Sequence, residues 1–104
     1  MVTEQRFKYI RVEGTREALV VSFCHTQIFA ADEIQGIGRE LLAAADLAAR
    51  IDMPIWVSFR DVTEISSALV GKLVLLNRKA RSVGISFRVV DVPPSLEDLF
   101  RKLL

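Results

Sequence analysis

Short apolar runs alternate with amphipathic helical patterns along this sequence, and that alternation limits the possible folds more than any other feature. Strand-like runs cover residues 7–12, 19–23, 55–59 and 86–90. Helical patterns begin near Asp32, at Ser66 and at Ser95. The predicted order is β-β-α-β-α-β-α, whose alternating second half implies parallel strands joined by right-handed crossovers.

The first two strand-like runs are separated by residues 14–17, which predicts an antiparallel hairpin. The run at residues 19–23 is mostly apolar, as is typical of a strand that is covered on both sides. We therefore expect an α/β fold in residues 1–104, taken as a single domain. Its mixed, four-stranded sheet would include this hairpin, and helices would pack on at least one of its faces.

Each helical pattern carries an apolar stripe. In the second pattern, residues 66–82, the stripe falls at spacings of four, three and four: Leu69, Leu73, Leu76 and Ala80. Gly84 follows in the usual position for ending a helix. The last helix has its stripe at Leu96, Leu99, Phe100 and Leu103, and Ser95 and Asp98 have the spacing of a capping box.

The first helical pattern contains two glycines. Gly36 and Gly38 each cost about 1 kcal/mol relative to alanine inside a helix. They either weaken the helix there or mark a place where another element packs closely. They also do not form a dinucleotide-binding motif, because they lie inside a helical pattern and do not follow a strand.

Composition excludes several classes of function. The chain has 104 residues, a net charge of +1 and a hydrophobic fraction of 51%, so nothing in its charge suggests a nucleic-acid partner. No segment approaches the roughly 20 apolar residues of a membrane span, and residues 1–6 lack an apolar signal core. Cys24 is the only cysteine and cannot form an internal disulfide. These features together predict a cytoplasmic protein.

Motifs for catalysis are mostly missing. His25 is the only histidine, and no pair of histidines or cysteines has metal-ligand spacing, so we expect neither a metal nor a cofactor. On a strand, the side chains of neighbours such as Cys24 and His25 point to opposite faces, which disfavours a thiol–imidazole pair. A serine nucleophile at Ser67 would need His25 as its base and an acid to orient that base. We therefore expect a protein that is not an enzyme.

Two adjacent hydroxyls stand at the start of the second helix. The strand at residues 55–59 leads into a polar turn that ends in Ser66 and Ser67. Serine at this position can cap the helix. It can also lie exposed beside free backbone N–H groups, where a phosphate group is well accommodated. The sequence leaves both interpretations open.

The chain resembles the STAS domain, a family named after sulfate transporters and anti-sigma factor antagonists. The strongest likeness lies in the strand at residues 55–59 and in the following D-V-T-E-I-S-S-A-L of residues 61–69. Support comes from F-R-V-V-D-V-P-P-S at residues 87–95, which leads into the closing helix. The resemblance spans residues 7–104 and agrees with the predicted order of elements.

A STAS domain of this length resembles a bacterial anti-sigma factor antagonist. The resemblance implies a protein partner, an anti-sigma factor that is a serine kinase of the ATPase type. That partner phosphorylates the second hydroxyl of the family's D-S-S-G segment, which corresponds to Ser67, with Ser66 as second choice. The implied partner-binding residues surround this serine: Gln27, Thr63, Glu64, Ile65, Ser66, Ala68, Gly71, Lys72 and Leu75.

Three positions depart from the family's pattern. Ile65 stands in place of an acid, Ala68 in place of a glycine, and Gln27 where an acid is common. The binding surface is therefore more apolar and less negative than in the family. This leaves a second interpretation open, a STAS scaffold or accessory subunit of a stress-signalling or ABC-transport complex that is not phosphorylated. For either role we expect a monomer or a weak homodimer.

Overall fold

The structure, a computed structural model, describes residues 7–103, without the side chain of Leu103. The expectation about a signal core in residues 1–6 therefore lies outside the described part. The elements, in chain order, are β1 (Ile10–Gly14), β2 (Leu19–Phe23), β3 (Gln27–Ile28), α1 (Ala31–Arg50), β4 (Ile55–Ser58), β5 (Glu64–Ile65), α2 (Ser67–Ser82), β6 (Phe87–Val90) and α3 (Pro94–Leu103). None of the helices within residues 7–103 has the length and apolarity that crossing a membrane requires.

The main sheet has four strands in the order β1-β2-β4-β6. β1 pairs antiparallel with β2, while β2, β4 and β6 run parallel to one another. This confirms the predicted mixed sheet with its N-terminal hairpin. β3 and β5 form a separate parallel pair, which was not predicted because strands of two residues each carry no periodic pattern.

The helices cover one face of the main sheet. In β2, Leu19, Val21 and Phe23 are buried, whereas the alternate residues Val20 and Ser22 are only half-buried. Since successive side chains of a strand point to opposite faces, the buried set marks the face under the helices. The expectation that β2 is covered on both sides was wrong, because both parallel crossovers carry their helices to the same side.

The predicted stripes form the core. Leu69, Leu73, Leu76 and Ala80 of α2 are all buried, and Gly84 follows the helix with a φ of 79°. The predicted capping box at Ser95 was wrong. α3 already begins at Pro94, which places Ser95 inside its first turn.

Three aromatic rings hold α3 against the end of the sheet. The ring of Phe59 lies 5.0 Å from that of Phe23 and 4.8 Å from that of Phe100, measured between centroids. Both pairs are tilted, an arrangement that aromatic quadrupoles favour. The predicted apolar stripe of the last helix is confirmed at Leu96 and Phe100, which are buried.

The two glycines of α1 are places of close packing, the second of the alternatives given above. A Cβ atom on Gly36 would overlap the ring of Tyr9. On Gly38 it would lie 2.8 Å from Cδ of Lys72, which comes from α2. Gly71 of α2 differs, because a Cβ atom there would meet nothing within 4 Å.

We predict opposite effects for alanine at two helical glycines. Gly36→Ala should lower the free energy of unfolding by about 1–2 kcal/mol, because Tyr9 must give up its packing on α1. Gly71→Ala should raise it by about 0.5–1 kcal/mol, because alanine is the better helix former and the space is open. Urea unfolding of both variants measures the difference. An increase in stability for Gly36→Ala would contradict the packing described above.

The start of β1 is tied to α1 by one carboxylate. Glu40 accepts hydrogen bonds from the backbone amides of Lys8, Tyr9 and Ile10, at donor–acceptor distances of 2.8, 2.8 and 3.2 Å. These amides are therefore bonded to α1 and do not take part in strand pairing. This explains why β1 begins at Ile10 and not at the predicted Phe7.

Removing this carboxylate should loosen the edge of the sheet. We predict that Glu40→Ala lowers the free energy of unfolding by about 2 kcal/mol, because bonds from several amides to a charged acceptor are lost. Glu40→Gln keeps one acceptor oxygen and should cost about half as much. The neighbouring exposed residue provides the control, since Arg39→Ala should change stability by less than about 0.5 kcal/mol. Equal stability of Glu40→Ala and Arg39→Ala would refute the role of Glu40.

Candidate partner-binding site

The segment that leads into α2 is held by backbone hydrogen bonds to the segment that leads into α1. The amides of Thr63 and Glu64 both donate to the carbonyl of Thr26, at 2.8 and 3.4 Å. The amide of Ser66 donates to the carbonyl of Ile28 at 2.9 Å. Ile28 itself is fully buried, so the pairing of β3 with β5 is anchored in the core. These bonds determine where α2 begins.

The two serines have different roles. Ser66 is the N-cap of α2, and its hydroxyl accepts a hydrogen bond from the amide of Ala68 at 3.1 Å. Ser67 is the first residue of the helix and is exposed. The geometry therefore assigns the capping role to Ser66 and leaves Ser67 as an exposed hydroxyl in the first turn of the helix. That Ser67 receives a phosphate stays a prediction.

The helix N-terminus beside Ser67 favours an anion. The first turn of α2 contains no acidic residue. The unsatisfied amides and the dipole of a helix N-terminus are attractive to negative charge. A phosphate on Ser67 would therefore be electrostatically compatible with the folded helix.

A groove runs between α1 and α2 next to these serines. Its volume is about 440 Å³, and it is lined by Ala31, Ile34, Gln35, Ala68, Gly71, Lys72 and Leu75. Most of these side chains are small or apolar. Leu75 is 45% exposed, and Gly71 leaves open space at the surface of α2. The structure thus brings together four of the predicted partner-binding residues: Ala68, Gly71, Lys72 and Leu75.

Several predicted residues, among them Lys72 of the groove, are engaged within the chain. Glu64 Oε1 accepts a hydrogen bond from Gln27 Nε2 at 2.8 Å, which places both on the exposed side of the β3–β5 pair. Ile65 is half-buried and packs against the core, so it offers less apolar surface than its sequence position suggests. Lys72 lies over Gly38 and donates to Gln35 Oε1 at 3.0 Å.

An exposed aromatic residue beside the serines was missed by the sequence analysis. Phe29 is 54% exposed and directly follows Ile28, whose carbonyl binds the amide of Ser66. The sequence feature that could have indicated it is an aromatic residue that stands just before α1 and outside the apolar stripe of that helix. The contribution of α1 to the groove through Ala31, Ile34 and Gln35 was also missed.

The residues considered for catalysis do not converge on Ser67. The imidazole of His25 pairs with the carboxylate of Glu33 in the first turn of α1. His25 and Cys24 line a separate, polar cavity at the carboxyl ends of the parallel strands. Within residues 7–103, no hydrogen bond joins Ser67 to His25.

Comparison with solved structures gives a match to the anti-sigma factor antagonist SpoIIAA. In its unphosphorylated form the TM-score is 0.66 at 17% identity, covering 88% of this chain and 81% of that one. The phosphorylated form of SpoIIAA, described as a Bacillus cell fate determinant, gives a TM-score of 0.57 at 18% identity, covering 89% and 81%. No family model matches the chain, and no curated protein matches its sequence.

The chain has a STAS-like fold. At identities of 17% and 18%, this likeness establishes the arrangement of strands and helices and leaves the activity to be argued from the site. The expected α/β class and sheet topology of the STAS-like fold are thereby confirmed. The site residues and the modification of Ser67 stay predictions.

The different roles of the two serines predict different effects of alanine. Ser66→Ala should lower the free energy of unfolding by about 1 kcal/mol, because the amide of Ala68 loses its cap. Ser67→Ala should change it by less than about 0.5 kcal/mol, because an exposed hydroxyl in the first turn is replaced by a good helix former. Thermal or urea unfolding of both variants tests this. The reverse order of effects would show that Ser67, and not Ser66, caps α2.

Proposed function

We propose that this protein is a regulatory binding module that antagonises an anti-sigma factor, and that phosphorylation of Ser67 switches it off. In this proposal the protein is not an enzyme, and its partner is a serine kinase of the ATPase type. The observation that carries the proposal is the exposed hydroxyl of Ser67, which lies between the capping Ser66 and Ala68, a residue that lines the open groove.

The fold supports this role. SpoIIAA, the similar structure, is an anti-sigma factor antagonist that occurs in an unphosphorylated and a phosphorylated form. SpoIIAA therefore keeps this fold with or without a phosphate. In our chain, Ser67 is the hydroxyl at the start of α2 that a kinase could reach without breaking the helix cap.

The groove provides the contact surface for the partner. Leu75 in the groove and Phe29, which lies outside the groove's lining, offer exposed apolar area. Gly71 allows a close approach of another backbone. Such a surface binds by excluding water. A phosphate on Ser67 adds about 1.5 to 2 negative charges and would keep water at the rim of this contact. Binding would be lost while the chain stays folded.

We predict that Ser67→Asp weakens partner binding by roughly 100-fold, because a charge is left unpaired inside the contact. The partner would be recovered from the host with the wild-type chain, purified, and titrated calorimetrically. The melting temperature of the variant should stay close to that of the wild type, since an acid suits a helix N-terminus. Ser95→Asp, the same change in the first turn of α3, is the matched control and should bind normally.

The phosphorylation site is tested with the same complex. Incubation with ATP and Mg²⁺ followed by mass spectrometry should place one phosphate on Ser67, and Ser67→Ala should abolish it. Normal binding by Ser67→Asp, or a phosphate on Ser66, would refute the switch at this residue.

A second candidate function is a scaffold or accessory subunit that binds constitutively. The small number of acids near Ser67 favours it, because this is where the chain departs from the pattern of the phosphorylated family. The first turn of α2 contains no acid, and the carboxylate of Glu64 already accepts a hydrogen bond from Gln27. A stable complex whose Ser67 receives no phosphate from ATP would support this function over the first.

A further inference from the structure

The outer edge of β6 has backbone groups available for pairing. β6 is the last strand of the main sheet and has β4 on one side only. The carbonyls of Ser86 and Val90 accept from the amides of Ile55 and Phe59 on the β4 side. Because the groups along a parallel strand alternate in direction, the amides and carbonyls of Phe87 and Val89 point away from β4. No described residue forms a strand pair on that outer edge.

A groove lies along this edge. It has a volume of about 620 Å³ and is bounded by β6, the C-terminal half of α2, and α3. Four apolar side chains line it: Phe87, Val89, Val92 and Phe100. An extended segment placed here could pair with the strand edge and also cover these side chains, which is how sheets accept a peptide as an additional strand.

The charges around the groove are mainly positive. Arg81, Arg88 and Arg101 line it against one acid, Glu97. Arg88 contributes less, because its side chain points to the face opposite Phe87 and Val89 and lies over the ring of Trp56, with its guanidinium carbon 5.7 Å from the ring centroid. Arg101 has a carboxylate of Asp98 at 3.6 Å, but both side chains are largely exposed, so this pair neutralises it only weakly.

We propose that the β6 edge is a second docking surface, which binds an acidic, extended segment of a partner protein by strand addition. The backbone edge supplies main-chain hydrogen bonds, and the arginines select for negative charge. A second copy of this chain fits less well, because pairing two β6 edges would bring two sets of arginines together. The surface is separate from Ser67 and does not depend on the function proposed for that site.

The test uses the full chain, labelled with ¹⁵N, and an eight-residue peptide with blocked ends in which glutamate alternates with valine. Binding should shift the amide resonances of Phe87 and Val89. Val89→Pro should abolish it, since proline removes an outward N–H that β4 does not use, and proline is tolerated on edge strands. The double variant Arg81→Glu and Arg101→Glu should weaken binding by about tenfold or more. Arg16→Glu, an exposed arginine in the turn of the hairpin, is the control and should bind normally.

Several results would overturn the proposal. Equal binding of a peptide with glutamine in place of glutamate would contradict selection for negative charge. Resonance shifts in β1 with β6 unchanged would contradict the location. The absence of shifts at millimolar peptide would contradict binding itself. Concentration-dependent shifts at Phe87 and Val89 without peptide would identify a second copy as the occupant and equally refute it. If Val89→Pro does not fold, as judged by its melting curve, the arginine variants decide.

Discussion

The start of α2 depends on the short parallel pairing between β3 and β5. Three amides of the segment before α2, those of Thr63, Glu64 and Ser66, donate to carbonyls of Thr26 and Ile28. Because Ile28 is fully buried, the pairing fixes the start of α2 relative to the hydrophobic core. It aligns Ser66 to cap the helix and leaves Ser67 at the surface, and it brings the N-terminal ends of α1 and α2 together to form a groove.

This arrangement would allow the proposed switch to operate without unfolding. The cap is provided by Ser66, so changing the charge of Ser67 removes no bond that holds the helix. A helix N-terminus accommodates negative charge, whereas a partner that covers the groove must exclude water from its rim. A phosphate on Ser67 would therefore have little effect on the folded chain and a large effect on the contact that we propose. In this chain the two effects are separate because Ser66, and not Ser67, caps the helix.

Much of the fold could be predicted because it follows from periodicity. The stripe of α2 and the glycine at position 84 are local signals, and each was confirmed. The β3–β5 pair was missed because two-residue strands have no period and depend on contacts between distant segments. For the candidate site, the sequence located Ser66 and Ser67 but did not separate their roles, which are set by the amide that each can reach. Phe29 was missed because exposure is not a property of local sequence.

The central claim is that a partner covers Ser67 and the groove between α1 and α2. Hydrogen–deuterium exchange of the chain, alone and bound to the partner recovered from its host, tests this most directly. The account predicts that the partner slows exchange in residues 63–75 and in residues 28–35, while the hairpin of β1 and β2 exchanges as in the free chain. Slowing confined to the hairpin or to the open face of the sheet, with residues 63–75 unchanged, would contradict it.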